Sequence, residues 1–499
     1  MARILFGQSY YLRLDPKLYA AMQPYPPLGT LLAAAYLRRR GHEVGLFDAM
    51  IAESERGWDE SLGRHKPRYA VLYEDNFNYL SKMCLLRMRE AAFRMIELAK
   101  SRGCEIILCG ADATDHYEEY LRRGADYVLI GEGEETLGEL MDALEDIRPV
   151  PTAGIAGLAW RDVSGASHCN PRRPDISRLD DLPIPAWDLV DVDRYRNIWR
   201  TRHGYYSMNM ITTRGCPYHC NWCAKPIWGQ RYNTRSPENV VDELAYIRDR
   251  YRPDHVFFAD DIFGLKPGWI ERFGELVNSR GIRVPFKCLM RADLVKQSVV
   301  DGLRQAGCET VWLGAESGSQ KILDAMEKGT TVEQIAEARR RLGAAGIRVA
   351  FFLQFGYPGE TRDDVEKTIA MVRTLLPDDI GISVSYPLPG TAFFESVRSQ
   401  LGEKQNWLDS DDLAMLYEGP FPQAFYRILH GTVHAEFRMR RALRSLARGS
   451  GDQRISARAR LRNLISVPRH WLEWRIQRRK LDSFGSDGRT VAVAEERLG

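Results

Sequence analysis

Between residues 206 and 390 the chain passes six times from a short apolar run to an amphipathic stretch of helical period, and this regularity restricts the fold more than any other feature. The runs are Ser207–Thr213, His255–Asp260, Pro285–Arg291, Thr310–Glu316, Arg348–Gly356 and Asp379–Tyr386. Helical patterns such as Pro237–Tyr251, Trp269–Arg280, Val332–Ala345 and Arg362–Leu376 lie between them. Parallel strands need a crossover, usually a helix, so six such units in a row predict a partial (β/α)6 barrel of TIM type. Chemistry in a barrel of this kind belongs at the carboxyl ends of the strands.

A chain of 499 residues is too long for one core, and the amino-terminal part supplies a second. Arg3–Gly7, Val44–Asp48, Ala70–Tyr73, Glu105–Gly110 and Tyr127–Gly131 read as strands without polar alternation, with helices at Leu28–Arg40, Ser81–Arg102 and Glu134–Leu144. Strands of that kind separated by helices predict a doubly wound, Rossmann-like parallel sheet over residues 1–165. Such sheets bind ligands at the carboxyl ends of their strands. Residues 166–205, broken by Pro171, Pro174, Pro183 and Pro185, read as a linker. The barrel then covers 206–400, and 401–499 is a helical, Arg-rich region whose end, Ser483–Gly499, reads as a frayed terminus.

No run of 18 apolar residues and no signal-peptide pattern occurs, so a cytoplasmic protein with reduced cysteines is expected. In that compartment a tight group of cysteines points to metal binding before disulfides. Directly after the first barrel strand stands Arg214-Gly215-Cys216-Pro217-Tyr218-His219-Cys220-Asn221-Trp222-Cys223, a C-x3-C-x2-C loop. Three thiolates can cap three irons of a [4Fe–4S] cubane and leave the fourth iron open to a ligand bearing an amine and a carboxylate. Zinc is the competing reading, but zinc prefers four ligands and paired C-x2-C spacings. Cys104 and Cys109 bracket one predicted strand, about 16 Å apart at roughly 3.3 Å per residue, too far to share a cluster. They and Cys84, Cys169, Cys288 and Cys308 read as buried small hydrophobes.

The loop resembles the signature of radical S-adenosylmethionine (SAM) enzymes, including the aromatic Trp222 before the third cysteine. The resemblance continues at the later strand ends: Phe258-Ala259-Asp260-Asp261, Arg291-Ala292-Asp293, Gly314-Ala315-Glu316-Ser317, Gly356-Tyr357-Pro358-Gly359-Glu360 and Pro387-Leu388-Pro389-Gly390-Thr391. It implies that Cys216, Cys220 and Cys223 hold the cluster, and that Trp222, Asp260, Asp261, Arg291, Glu316, Ser317 and Gln354 contact SAM. Asp260-Asp261 departs from the Gly-Gly-Glu that many relatives carry. The implied chemistry is reductive cleavage of SAM to a 5′-deoxyadenosyl radical that takes hydrogen from an unactivated C–H bond.

Over roughly residues 1–430 the chain is similar to the cobalamin (B12)-binding-domain class of this superfamily, through Pro26-Pro27-Leu28-Gly29 before a helix and Gly131-Glu132-Gly133-Glu134 after a strand. Characterised members of that class include radical methylases of hopanoids, antibiotics and peptides, and the anaerobic cyclase of magnesium-protoporphyrin ester. The resemblance implies cobalamin contacts at Gln8, Tyr11, Glu74, Asn76, Gly110, Ala111, Asp112, Gly131, Glu132 and Gly133. No D-x-H-x-x-G motif offers a histidine to the cobalt.

The expected activity is therefore cobalamin-dependent methylation of an sp³ carbon in a lipid or secondary metabolite. A radical cyclase, oxidase or C–C coupling enzyme is the first alternative, and a cluster-bearing binding or sensor protein without turnover the second. An electron donor such as flavodoxin or ferredoxin is implied as a partner. The net charge of +3 hides a segment, Arg438–Lys480, that carries +12 by itself and interleaves Leu, Ile and Trp. Such a segment fits an anionic membrane surface at the inner face, or the acidic remainder of the chain; no recognised nucleic-acid-binding module accompanies it.

Overall fold

In the computed structural model, residues 2–147, 151–225, 227–447 and 457–485 are described, the side chains of 457–463 excepted. The amino-terminal sheet contains β1 (Arg3–Gly7), β2 (Glu43–Leu46), β3 (Tyr69–Tyr73), β4 (Glu105–Cys109) and β5 (Tyr127–Leu129), all parallel, in the order β2-β1-β3-β4-β5. The strand order reverses at β1 and β3, which makes their carboxyl ends the switch point where doubly wound sheets bind ligands. Every residue of β3 is buried, because helices cover both faces. Leu28–Arg39 and Glu134–Leu144 pack on one face; Arg56–His65 and Leu86–Ser101 pack on the other.

Two elements were not expected. β6 (Leu158–Arg161) and β7 (Ser167–Cys169) add antiparallel to the edge beyond β5, so the sheet runs past residue 165 into the segment read as a linker. Cys169, on this edge strand, is exposed rather than buried; the other five non-signature cysteines are buried. The linker also holds a helix, Val192–His203, started by the Asp191 side chain and stopped at Gly204.

The expected single helix Ser81–Arg102 is broken in two, Tyr79–Met83 and Leu86–Ser101. Cys84 at the break is left-handed, with φ 52°. The backbone there is held from the far end of the chain: Asn406 donates from its amide to the Cys84 carbonyl (2.9 Å), and Leu86 N–H donates to the Trp407 carbonyl (2.7 Å).

The barrel strands are β8 (Ser207–Met210), β11 (His255–Phe258), β12 (Phe286–Met290), β13 (Cys308–Glu316), β14 (Arg348–Phe355) and β15 (Asp379–Val384). They are parallel and adjacent in chain order, a partial barrel as the periodicity predicts. Between β8 and β11, β9 (Thr213–Arg214) and β10 (Asn233–Thr234) form a short antiparallel clip that closes the cysteine loop. Helices Gln423–Ala447 and Ala457–Asp482 pack together beside the barrel. Residues 486–499, most of the stretch read as frayed, lie outside the described residues.

Candidate functional site

The cysteine loop leaves the barrel through a buckle. Asp260, at the end of β11 and 1% exposed, accepts from Thr212 N–H (2.7 Å) and Oγ1 (2.9 Å), and from Thr213 N–H (2.7 Å) and Oγ1 (3.0 Å). Burial still pushes its carboxyl up to about 6 against these four donors. Gly215 follows with φ 79°, where a side-chain carbon would run into the Arg231 carbonyl. Only glycine fits both the angle and the approach.

Cys216, Cys220 and Cys223 then stand free and half-buried on one loop. Asn221, between the last two, is anchored by the segments that follow β13 and β14. Its N–H donates to Met326 O (3.2 Å), its amide to Ala325 O (2.8 Å), and its side-chain oxygen accepts from Tyr357 Oη (2.9 Å). Trp222 packs on a cluster that includes Ile322, Met326, Tyr357 and Phe393, and its indole N–H is buried without a partner. Among the described residues no three His, Cys, Asp or Glu side chains converge closely enough to hold one metal ion. Burial pushes the Cys223 thiol up to about 12, so any metal bound there would have to displace its proton.

Four cations surround the loop. Arg291 lies 3.5 Å over the Tyr218 ring and 3.9 Å from Cys220 Sγ, and is held by Asp293 (3.0 Å) and the Lys328 carbonyl (2.7 Å). Lys328 pairs with Glu316 at 2.8 Å, both side chains buried. Glu316 sits at φ 58° beside a bulge in β13, strained backbone of the kind that collects at functional sites. Lys225 donates to the Tyr218 carbonyl. The fourth, Lys82, comes from the amino-terminal domain: it pairs with Asp261 at 2.8 Å and lies 5.5 Å over the Trp228 ring. Burial opposes its charge, but Asp261 and then Cys223 and Cys216 outweigh that, so its pKa is raised. The helix break at Cys84 lies two residues beyond this lysine.

The structure therefore gathers Trp222, Asp261, Arg291 and Glu316 around the cysteines. Asp260 and Ser317, also read as SAM contacts, are engaged by protein partners. The Asp260 oxygens are taken by the buckle, and Ser317 Oγ is bonded to Thr368 Oγ1 (3.1 Å) and Ser319 N–H (3.1 Å). Gln354, on the inner face of β14, donates to Ser385 Oγ at 3.0 Å.

At the carboxyl ends of β1, β3, β4 and β5, several of the residues read as cobalamin contacts have protein partners. The Gln8 side chain closes on the Tyr10 backbone, Tyr11 Oη points to Met95 Sδ, and Asp112 is held by Arg89 and Tyr120. Ala111 packs with Phe77, Ile227 and Trp228. Gly110 gives the Glu74 side chain room, since a Cβ there would lie 2.8 Å from Glu74 Cγ. Glu74 accepts from Ser9 N–H (3.0 Å), and burial raises its carboxyl to about 7. Gly131 is left-handed at φ 80°, and a Cβ on Gly133 would clash with Tyr73 at 2.9 Å. Glu132 pairs with Arg214 of the cysteine loop and so ties the two domains together. What remains for a ligand are buried polar atoms without partners: Ser9 Oγ, Asn76 Oδ1 and Ser81 Oγ. A molecule fringed with amides could meet them.

Residues 210–372 match the model of the radical SAM superfamily. An uncharacterised methyltransferase of Pyrococcus horikoshii is 28% identical over 77% of this chain and 81% of its own length. The anaerobic magnesium-protoporphyrin IX monomethyl ester cyclase of Rubrivivax gelatinosus is 26% identical over 77% and 68%. The cobalamin-dependent SAM radical enzyme OxsB, solved with aqua-cobalamin, superposes with a TM-score of 0.74 at 17% identity, covering 97% of this chain and 74% of that one. At that identity the likeness establishes the fold.

Proposed function

We propose that this chain, a radical SAM enzyme whose barrel carries the superfamily's cysteine loop, methylates an sp³ carbon of a small molecule with cobalamin as methyl carrier. The observation that carries the reading is the convergence of Cys216, Cys220 and Cys223 with Arg291, Lys328–Glu316 and Lys82–Asp261 at the barrel's mouth, facing the switch point of the amino-terminal sheet. When bound, the cluster with SAM supplies the means to break an unactivated C–H bond, and cobalamin supplies the methyl group. The protein's part is placement. Asp260 and Gly215 set the direction in which the cysteines emerge. Trp222 offers an apolar wall and an unused N–H, and Glu316 and Asp261 offer carboxylates to the amine of SAM. Arg291 and Lys328 place positive charge beside the thiolates, and Lys82 ties the amino-terminal domain over the site and narrows access for water.

The reading is tested by anaerobic reconstitution with iron, sulfide and cobalamin. Roughly four irons per chain, bound cobalamin, and 5′-deoxyadenosine from SAM with a low-potential reductant or flavodoxin are expected. Absence of 5′-deoxyadenosine would remove the radical reading. A protein colourless after cluster removal, despite ample cobalamin, would favour a cyclase or coupling enzyme, to which the cyclase-like sequence also points. Product mass separates these: +14 per methylation against loss of hydrogen.

A membrane is the partner that the tail supports. On helix Ala457–Asp482, Leu464, Ile465, Trp471, Leu472 and Ile476 are all 45–69% exposed, among Arg469, Arg475, Arg479 and Lys480. The end of the helix docks on the barrel side through Arg478–Glu366 and Arg362–Asp482, which leaves this stripe outward. Each cation near an anionic surface contributes on the order of 1 kcal/mol. Co-sedimentation with anionic but not neutral vesicles at low salt is expected, and an Ile465→Ser/Leu472→Ser variant should lose it. Equal sedimentation of the two proteins would end the idea.

A further inference from the structure

Side chains alternate across each barrel strand, and the inward set has a chemistry the cofactors do not explain. On β12, Phe286 points outward into a ring cluster with Phe258, Phe263 and Phe273, which turns Lys287 and Leu289 inward. On β13 and β14 the inward Trp312 and Phe352 stack at 4.6 Å and 28°, and Phe352 keeps 39% of its surface open. Gly381 on β15 makes room for the pair: a Cβ there would lie 3.3 Å from the Phe352 ring and 3.4 Å from Trp312.

Lys287 marks the floor of this lumen. It pairs in register with Phe257 and Thr310, and Thr310 with Arg348, near the amino-terminal ends of β12, β13 and β14. Its ammonium lies 4.6 Å over the Phe257 ring and 5.3 Å over the Tyr25 ring. Among the described residues no carboxylate or carbonyl takes its protons. Burial pushes the group down to about 8. Its neighbour His255, hydrogen-bonded to Ser207 Oγ at 2.9 Å, is pushed down to about 3 by burial and then by Lys287 and Arg348, so it carries no charge that could respond. Lys287 keeps part of its surface open, yet an ammonium held among rings without a counter-charge is costly to desolvate. The partner that offsets this cost is absent from the chain itself.

We propose that the lumen binds the substrate, a molecule with an elongated or flat apolar body and one anionic end, with the body on Trp312 and Phe352 and the anion on Lys287. This rests on the barrel being the reaction chamber. Arg291 lies four residues further along the strand, about 13 Å at roughly 3.3 Å per residue, so the carbon to be modified stands about that far from the anion. Substrate class is thereby narrowed to amphiphiles with a single carboxylate or phosphate, and Lys287 becomes a specificity residue.

The test uses the full chain and two fluorescent probes that share one body, 1-anilinonaphthalene-8-sulfonate and the uncharged N-phenyl-1-naphthylamine. Lys287→Met is expected to weaken the sulfonate tenfold or more and the neutral probe less than twofold. Lys287→Arg should keep the preference, and Trp312→Leu should weaken both probes. If Lys287→Met leaves both affinities unchanged, or lowers both equally, the proposal is overturned, because the lysine then only packs. Probe binding needs neither cluster nor SAM, so failure here leaves the radical assignment standing, and absence of 5′-deoxyadenosine leaves this result readable.

Discussion

Cys216→Ala protein, reconstituted anaerobically beside the native chain, is expected to retain little iron and to form 5′-deoxyadenosine at a rate lower by more than about 100-fold. That is the upper end of what a metal site loses with a mere supporting group, and Cys216 is argued to be a ligand. The loop's course is fixed before and among the cysteines. Asn221 is tied to the Ala325, Met326 and Tyr357 groups, and the Gly215 angle fixes where the chain emerges. Cys220→Ala and Cys223→Ala should behave alike. Cys169→Ala, changing an exposed thiol on the edge strand β7, should match the native protein in iron content and rate. Iron and SAM cleavage retained in full by Cys216→Ala would dismiss the cluster assignment.

The parts of this site that were legible in the sequence are those whose signal is local. Three cysteines within eight residues, a glycine before them and a tryptophan among them need no tertiary information. The barrel was legible for the same reason, since each β/α unit repeats a short pattern. What was hidden depends on partners far apart in the chain. Lys82 sits in a stretch that reads as one continuous helix, and its role depends on a break at Cys84 held by Asn406 and Trp407, over 300 residues away. The resemblance of Phe258-Ala259-Asp260-Asp261 to the superfamily gives Asp260 and Asp261 the same role. Yet Thr212 and Thr213, nearly 50 residues earlier, take up the Asp260 oxygens and leave Asp261 to face Lys82. Gly131-Glu132-Gly133 carries the turn chemistry of a ligand loop, and no local feature announces that its glutamate belongs to an arginine in the other domain.

That arginine is the subject of the second expectation: Arg214→Met should destabilise the junction of the two domains by about 3–5 kcal/mol, the usual cost of leaving buried charges without their partner. Arg214 is 1% exposed at its side chain and lies between Glu132 and Glu134, 5% and 3% exposed; its Nη2 is 2.7 Å from Glu134. Burial works against its charge, and Glu134 and Glu132 outweigh that and raise its pKa above the usual guanidinium value. Glu132 is the weaker member: burial raises its carboxyl even with Arg214 in contact. The sign of the pH dependence follows. A carboxyl whose folded pKa is raised costs stability above that pKa, and the cost fades as pH falls toward the ordinary carboxylate range, where folded and unfolded chains are both protonated. Without Arg214 the Glu132 carboxyl loses the charge that holds it down and is raised further, so the variant should lose most at alkaline pH and recover toward the native protein on acidification. Thermal unfolding is the measurement, with a downward shift on the order of 10 °C in the lowest transition at pH 8. Arg214→Met/Glu132→Gln/Glu134→Gln should regain much of the loss, because removing a whole buried ionic group is far cheaper than removing one partner. Because Arg214 directly precedes Gly215 and Cys216, the single variant should also hold less iron than the triple one. A single variant that melts with the native chain, or a triple one no better than the single, would show that the clamp between Glu132, Glu134 and the cysteine loop carries no such load.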